Sequence, residues 1–371
     1  MDCDILIVGT GSVTETTCRA LALTAPRPLR VAVLGRSAAW ARDLTAMANA
    51  VSAATGTRVD FVSDTIDWDR PDDLPAKLDE YPARIVFQTA SLQSPWDFLG
   101  VTEETRWKQL VWQAGNAIIL PMQVELVKRV AECLSRSGST AMLVNACFPD
   151  WVNPILRHLN LPITSGIGNV AMFAGCLRHH HPTARLQIVG HLYHYFKILG
   201  TDHSTLDGPR VWIDGDEVPD PQSALAAVFQ ELRSINARGK LINELVGANS
   251  AELLLGLMSD TVTYTHVPGP NGLPGGYPVQ VRDGRVEVDL PEDCDLESAV
   301  ALNAQGAYDM GAAVIDDSGF SRFSSTAESL LKPLTSRFAA GFDIADLEEA
   351  CAEMIALRAR LEKEPAEGHG Q

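Results

Sequence analysis

The sequence predicts an α/β protein: a doubly wound parallel sheet followed by an α+β domain. Three observations carry that reading. Short, continuous apolar runs alternate with helical patterns through the first 150 residues, as in chains that build parallel sheets. The first run ends in Gly9-Thr10-Gly11-Ser12-Val13 and passes straight into a helical pattern. A second apolar run, residues 30–35, begins about twenty residues further on, the spacing of a βαβ unit.

In order, residues 4–9 read as a fully buried strand, apolar throughout and closed by glycine. A helix over 13–24 follows, then a second buried strand at 30–35 and a helix over about 38–54. Val59–Val62, Arg84–Gln88 and Ala141–Val144 read as the third, fourth and fifth strands, with one long helix over about 104–136 before the fifth. After residue 150 the texture changes. Strand-like segments lie near 185–199 and 210–213, and a helical stretch covers about 221–259. Residues 268–276 are a loop by their Pro and Gly content. Tyr277–Arg282 and Arg285–Leu290 flank Asp283-Gly284, a hairpin turn signal. Helices are expected near 296–315, 324–336 and 344–363. The organisation read from this is a Rossmann-type domain over 1–150, an α+β substrate and oligomerisation domain over 151–364, and a disordered tail over 365–371.

Composition narrows the function. With 46% hydrophobic and 21% charged residues, the 371-residue chain matches an ordinary globular protein of about two domains. A net charge of −17 opposes binding to nucleic acid or to an anionic membrane surface. No apolar run is long enough to span a bilayer, and the start, Met1-Asp2-Cys3-Asp4, is unlike a secretory signal. The seven cysteines are scattered without a CxxC, which suits reduced thiols in a cytoplasm.

The glycine turn carries the first functional expectation. Gly9 and Gly11 allow a tight turn and a close approach of phosphate to the backbone, and the helix start supplies free N–H groups and positive dipole. Thr10, Ser12 and Val13 complete the turn, and Thr14 stands where the third glycine of such turns is usual. The second strand ends in Gly35-Arg36-Ser37, with no acid to bind a ribose 2′-hydroxyl. Arg36 and Ser37 suit a 2′-phosphate, so NADP is preferred to NAD as cofactor. The bland alternative for Arg36 is a solvated loop residue.

Beyond the turn, several segments fall in a familiar order. They are Gln88-Thr89-Ala90-Ser91, the loop from Gly100 to Arg106, Asn116, the Val144–Pro149 strand end with Asn145, Ser165–Asn169, and Ile188–Phe196 with His191 and His194. Together they resemble the lactate/malate dehydrogenase superfamily, which includes the family 4 glycosidases. The resemblance covers about residues 4–220. It implies a nicotinamide cofactor, with Thr89 and Ala90 beside the nicotinamide ribose, Arg106 on a substrate loop, Asn145 near the substrate, and a histidine acid/base. It also implies a homo-oligomer acting on a small molecule.

The chain departs from that pattern in ways that matter. Val170–Ala174 holds neither the Asp that orients the histidine nor the Arg that grips a carboxylate in the dehydrogenases. Gly168-Asn169 replaces the Cys-His pair of the glycosidase metal site, so no metal is expected. His194 is the first acid/base candidate and His191 the alternative; in a strand they would face opposite sides. The bland reading is an aromatic-rich core strand with satisfied histidines. Arg106 is a candidate carboxylate fork or a solvated helix-start residue. Asn145 is a candidate for bonding substrate or the nicotinamide amide. Tyr193 and Lys197 are further proton donors without a matching spacing. His179-His180-His181 reads as a solvated helix end rather than a metal site, and Asp202-His203 as a loop.

The function this supports is an NADP-dependent oxidoreductase moving hydride to or from a small polar substrate, such as an oxo or hydroxy acid or an imine. The alternatives are an enzyme that retains NAD(P) through lyase, epimerase or glycosidase-like chemistry, and a catalytically silent nucleotide-binding protein.

Overall fold

The computed structural model describes residues 2–98, 105–199, 208–221, 226–236 and 241–366. Its centre is a parallel sheet of six strands in the order β3-β2-β1-β4-β5-β6. The strands are β1 (Cys3–Val8), β2 (Leu29–Gly35), β3 (Val59–Thr65), β4 (Ala83–Gln88), β5 (Met142–Asn145) and β6 (Ser165–Gly166). Ile5, Leu6, Ile7 and Val8 have no exposed surface, because β1 lies in the middle of a sheet covered on both faces. The helices between these strands are α1 (Ser12–Thr24), α2 (Ala38–Thr55), α3 (Asp73–Glu80), α4 (Arg106–Ala114), α5 (Leu120–Arg136) and α6 (Pro149–His158). Strand order reverses between β1 and β4, which opens a crevice at their carboxyl ends.

The single helix expected over 104–136 is broken. Gly115 sits at φ +88, where an added Cβ would come within 2.3 Å of the Met310 carbonyl oxygen, and α5 leaves α4 at a bend of 115°. No single helix among the described residues is long and apolar enough to cross a membrane. The sheet runs past residue 150, since β6 pairs with β5. A two-residue strand carries no periodicity to read.

The rest of the chain is α+β. It holds α7 (Val170–His180), β7 (Leu186–Val189), α8 (Leu192–Leu199), β8 (Arg210–Ile213), β9 (Asp216–Glu217), α9 (Ala226–Asn236) and α10 (Ile242–Leu257). An antiparallel sheet follows, formed by β10 (Thr263–Pro268), β11 (Gly276–Arg282) and β12 (Arg285–Val288). Last come α11 (Leu296–Asp309), β13 (Phe320–Arg322), α12 (Ser325–Leu331), β14 (Gly341–Asp343) and α13 (Leu347–Leu361). Asp283 and Gly284 take positive φ in the expected hairpin turn. His179 and His180 close α7, and His180 Nε2 lies 2.9 Å from Glu231 Oε2. In the tail expected to be frayed, Pro365 bridges Thr105 of the first domain, and just before it the Glu364 carbonyl accepts from Arg106 N–H at 3.0 Å. Residues 367–371 lie outside the described residues.

The largest correction concerns 185–199. The strand stops at Val189 and α8 begins at Leu192. The first N–H groups of α8 find side-chain acceptors that make the helix start. Leu192 N–H donates to Asp150 Oδ1 at 3.1 Å and Tyr193 N–H to His191 Nδ1 at 3.0 Å. His194 Nδ1 reaches back to accept from His191 N–H at 2.9 Å. His191 and His194 thus hold the N-cap and third helical positions of a reciprocal cap, the roles usually taken by Ser or Thr and by Glu or Gln.

Candidate active site

The carboxyl ends of β1 to β6 line a single cleft of about 1010 Å³. One part is the glycine turn: Gly9, Thr10, Gly11, Ser12 and Val13 all reach it. Gly9 has φ +128, and a Cβ there would come within 2.3 Å of Thr89 Oγ1 and 2.8 Å of Ala90 N. A Cβ at Gly11 would meet nothing within 4 Å, so the start of α1 is open to an approaching group. Thr14 is fully buried; its hydroxyl donates to the Gly9 carbonyl at 3.0 Å and lies 2.8 Å from Thr89 Oγ1. It fills the place of a third glycine by tying helix, turn and β4 together. Thr89 and Ala90 line the cleft, and their N–H groups donate to Val8 O. Asn243, at the start of α10, also lines it and donates to Ser12 Oγ at 2.7 Å.

Arg36 lines the same cleft at the end of β2. Ser37 does not. It is the N-cap of α2, accepting from Trp40 N–H at 3.3 Å. The end of β3 adds Thr65, Ile66, Asp67, Trp68, Asp69, Arg70 and Asp73, none of which the sequence singled out.

Toward β5 and β6 the wall is uncharged. Leu92, Pro95, Leu126, Phe148, Ile167, Met172, Leu192 and Tyr195 supply apolar surface, with Ser91, Ser94, Gln123 and Asn169 among them. Cys147 lines it too, but burial pushes its thiol up to about 12 and its Sγ is turned to Ala90 O. Asn169 precedes α7 at φ 51, ψ −111, an uncommon conformation for a residue with a side chain. Its amide donates to the fully buried Asp150. Burial raises the Asp150 carboxyl to about 7 against the hydrogen bonds from Leu192 and Asn169 that favour its charge.

The other expected site residues lie elsewhere. His191 and His194 are 2% and 4% exposed and are not on the cleft wall; on α8, Leu192 and Tyr195 face it instead. Burial holds His194 down to about 4 and His191 well below its ordinary value. Both are then neutral at pH 7, and since Nδ1 accepts in each ring the remaining proton sits on Nε2. His191 Nε2 faces Asp150 Oδ1 at 4.0 Å, too far for a hydrogen bond. Asn145 is fully buried and builds the turn after β5. Its Oδ1 accepts from Cys147 N–H at 2.7 Å, and its Nδ2 donates to Cys147 O at 3.0 Å and Asn153 Oδ1 at 2.9 Å. Arg106 is held by Glu364 at 2.7 Å and is not on the wall. Tyr193 gives its N–H to His191, while Gly100–Glu104 and Asp202-His203 lie outside the described residues.

No family model matches the chain, and no curated protein does. Solved structures do. The 6-phospho-beta glucosidase of Thermotoga maritima superposes with a TM-score of 0.56 at 14% identity, covering 99% of this chain and 100% of that one. Cryptosporidium parvum malate dehydrogenase gives 0.54 at 12% identity, over 84% of this chain and 98% of its own. The minor L-lactate dehydrogenase of Enterococcus mundtii gives 0.54 at 12%, over 91% and 99%. The chain has the lactate/malate dehydrogenase fold. Within that fold α7, the helix after Ser165–Asn169, carries only apolar residues from Val170 to Ala174, all buried. Among the described residues no group of three or more His, Cys, Asp or Glu is placed to hold a metal ion.

Proposed function

We propose that this chain is an NADP(H)-dependent oxidoreductase acting on a small polar but uncharged substrate, such as a carbonyl compound or an imine. The observation that carries the reading is that the Gly9–Val13 turn and Arg36 open on one cleft at the strand-order reversal. The residues fit a dinucleotide. The open side of Gly11 and the free N–H groups of α1 suit a pyrophosphate, and Thr89 and Ala90 sit where the nicotinamide ribose would follow. A bound nicotinamide supplies the hydride chemistry, and the protein supplies placement. The uncharged wall from Leu92 to Tyr195 would hold substrate by shape, with Asn169 and Gln123 as hydrogen-bonding groups.

Titration with NADPH and NADH tests this, read by energy transfer from tryptophan. Trp68 lines the cleft, and Trp40 donates its indole N–H to Thr10 O at 2.8 Å. NADPH should bind, and Arg36→Ala should weaken it about tenfold or more while leaving NADH nearly unchanged. Binding of neither nucleotide would overturn the reading. A second reading, a nucleotide-binding protein without turnover, is favoured by one observation: the two histidines cap α8 and stay off the wall. NADPH binding with no oxidation across a panel of carbonyl compounds and imines would decide for it. An enzyme that retains its cofactor would instead convert substrate with no net change in NADPH absorbance.

A further inference from the structure

The adenosine end of the cleft carries a second cation that the glycine-turn pattern does not reveal. Gly35 at the end of β2 is paired with Thr65 at the end of β3, and Ile66 N–H donates to Gly35 O at 3.1 Å. The residues after these strands, Arg36 and Ile66–Arg70, therefore leave the sheet side by side. Arg36 and Arg70 both line the cleft and both are exposed, and neither has an ion-pair partner among the described residues.

Three carboxylates share this end, and two of them build the loop that presents Arg70. Asp67 Oδ1 accepts from Asp69 N–H at 3.0 Å, and Asp73 Oδ2 accepts from Asp67 N–H at 2.8 Å. Arg70 N–H donates to Asp67 O at 3.2 Å, and Asp73 N–H to Arg70 O at 3.1 Å. Residues 67–73 thus form a compact, internally bonded turn with Arg70 near its middle, so its backbone is ordered before any ligand arrives. The Asp64 carboxylate, the nearest other acid on β3, is taken by Lys77 at 2.6 Å and Tyr81 at 3.0 Å. At this end of the cleft Arg36 and Arg70 are thus left without an ion-pair partner among the described residues, in a chain with 47 acidic and 30 basic residues.

Resting on the proposal that the cofactor is NADP(H), we infer that Arg70 is a second ligand of the 2′-phosphate, closing on it from β3 as Arg36 does from β2. A phosphate ester offers three acceptor oxygens and nearly two negative charges, enough for two guanidinium forks. The Asp67 and Asp73 carboxylates at this end are taken up by backbone N–H groups of the turn and so help fix the backbone that presents Arg70.

The test measures binding of NADPH, NADH, 2′,5′-ADP and 5′-AMP to the full chain and to Arg70→Ala, Arg70→Lys and Arg36→Ala. Arg70 is exposed, so Arg70→Ala should fold, as an unchanged circular dichroism spectrum would verify. Arg70→Ala should weaken NADPH and 2′,5′-ADP about tenfold or more and change NADH and 5′-AMP less than about twofold, with partial recovery in Arg70→Lys. If Arg36→Ala weakens 2′,5′-ADP and Arg70→Ala does not, Arg70 has no such role and the NADP(H) reading survives. Equal weakening of 2′,5′-ADP and 5′-AMP would place Arg70 on the adenosine and overturn the inference. If the parent chain prefers neither 2′-phosphorylated ligand, the cofactor assignment itself fails.

Discussion

Lowering the pH from 7 to 5 should destabilise this protein by about 2 kcal/mol or more, through histidines that serve as acceptors. His194 is held down to about 4 and the buried His266 to about 3, each by burial, against an ordinary value of 6.5. Each Nδ1 or Nε2 concerned accepts a backbone N–H: His191 to His194, and Ile188 to His266 at 3.1 Å. The unfolded chain binds more protons than the folded one between the two values, so stability is present above pH 6.5 and falls as pH drops toward 4. For each of these two histidines the change from pH 7 to pH 5 is about 2 kcal/mol. His191, shifted the same way, adds to it. Asp150 works in the opposite sense. Raised from 3.8 to about 7, it costs stability as pH rises through that range and returns about 2 kcal/mol on acidification to pH 5. The shifted surface carboxylates Asp64, Asp295 and Asp316 lie below 3.8 and titrate outside this window. The net loss is thus about 2 kcal/mol from His194, His266 and Asp150 together, and more with His191. Urea unfolding followed by circular dichroism at both pH values measures it. His194→Gln keeps an acceptor at the third helical position, the usual capping-box residue there, but cannot titrate. Its loss between pH 7 and pH 5 should be smaller than that of the parent by about 2 kcal/mol. An identical pH dependence in the two proteins would refute the assignment of His194 as a buried neutral cap.

Two further substitutions probe the turns that shape the cleft. Gly9→Ala places a Cβ against Thr89 and the Ala90 backbone at a φ of +128, so it should lower Tm and abolish NADPH binding together, measured by thermal melts and titration. Asn145→Ala removes the acceptor of Cys147 N–H and two donated bonds inside a fully buried turn. It should destabilise by about 2–4 kcal/mol in urea unfolding, and any loss of nucleotide affinity should track unfolding and vanish at temperatures where the variant is folded.

What could be read in the sequence was local. The strand, glycine turn and helix from Cys3 to Thr24 announce themselves through continuous apolar residues followed by Gly9 and Gly11, and Arg36 through its place at the next strand end. What could not be read depends on partners far along the chain. His191–Phe196 reads as an aromatic-rich strand, yet the N–H of Leu192 is captured by Asp150 from α6, and that bond helps turn the segment into a helix. Arg106 looks available at a helix start, yet its partner Glu364 lies at the other end of the sequence. Ser37 looked like a phosphate ligand by proximity to Arg36, yet a serine one residue before a helix is more simply its cap. Asp150 had a weak signal: a lone acid after Phe148-Pro149 in a segment otherwise suited to burial. Its importance appears only when Asn169 and α8 close over it.

These departures share a physical logic. Burying charges costs desolvation unless they are paired, and α7 carries no such cost from Val170 to Ala174, which are wholly apolar and buried. The polar groups that remain in this region, Asp150, Asn169, Asn145, Asn153, His191 and His194, are bonded to one another or to backbone and hold turns and helix starts in place. Arg36 and Arg70 line the cleft beyond the ends of β2 and β3, without an ion-pair partner among the described residues. Under the proposed function charge selects the nucleotide and shape selects the substrate, so changing the nucleotide preference should require only Arg36 and Arg70. Changing the substrate should require resizing Phe148, Met172 and Leu192, with no gain from adding a carboxylate-binding arginine unless its own desolvation is met.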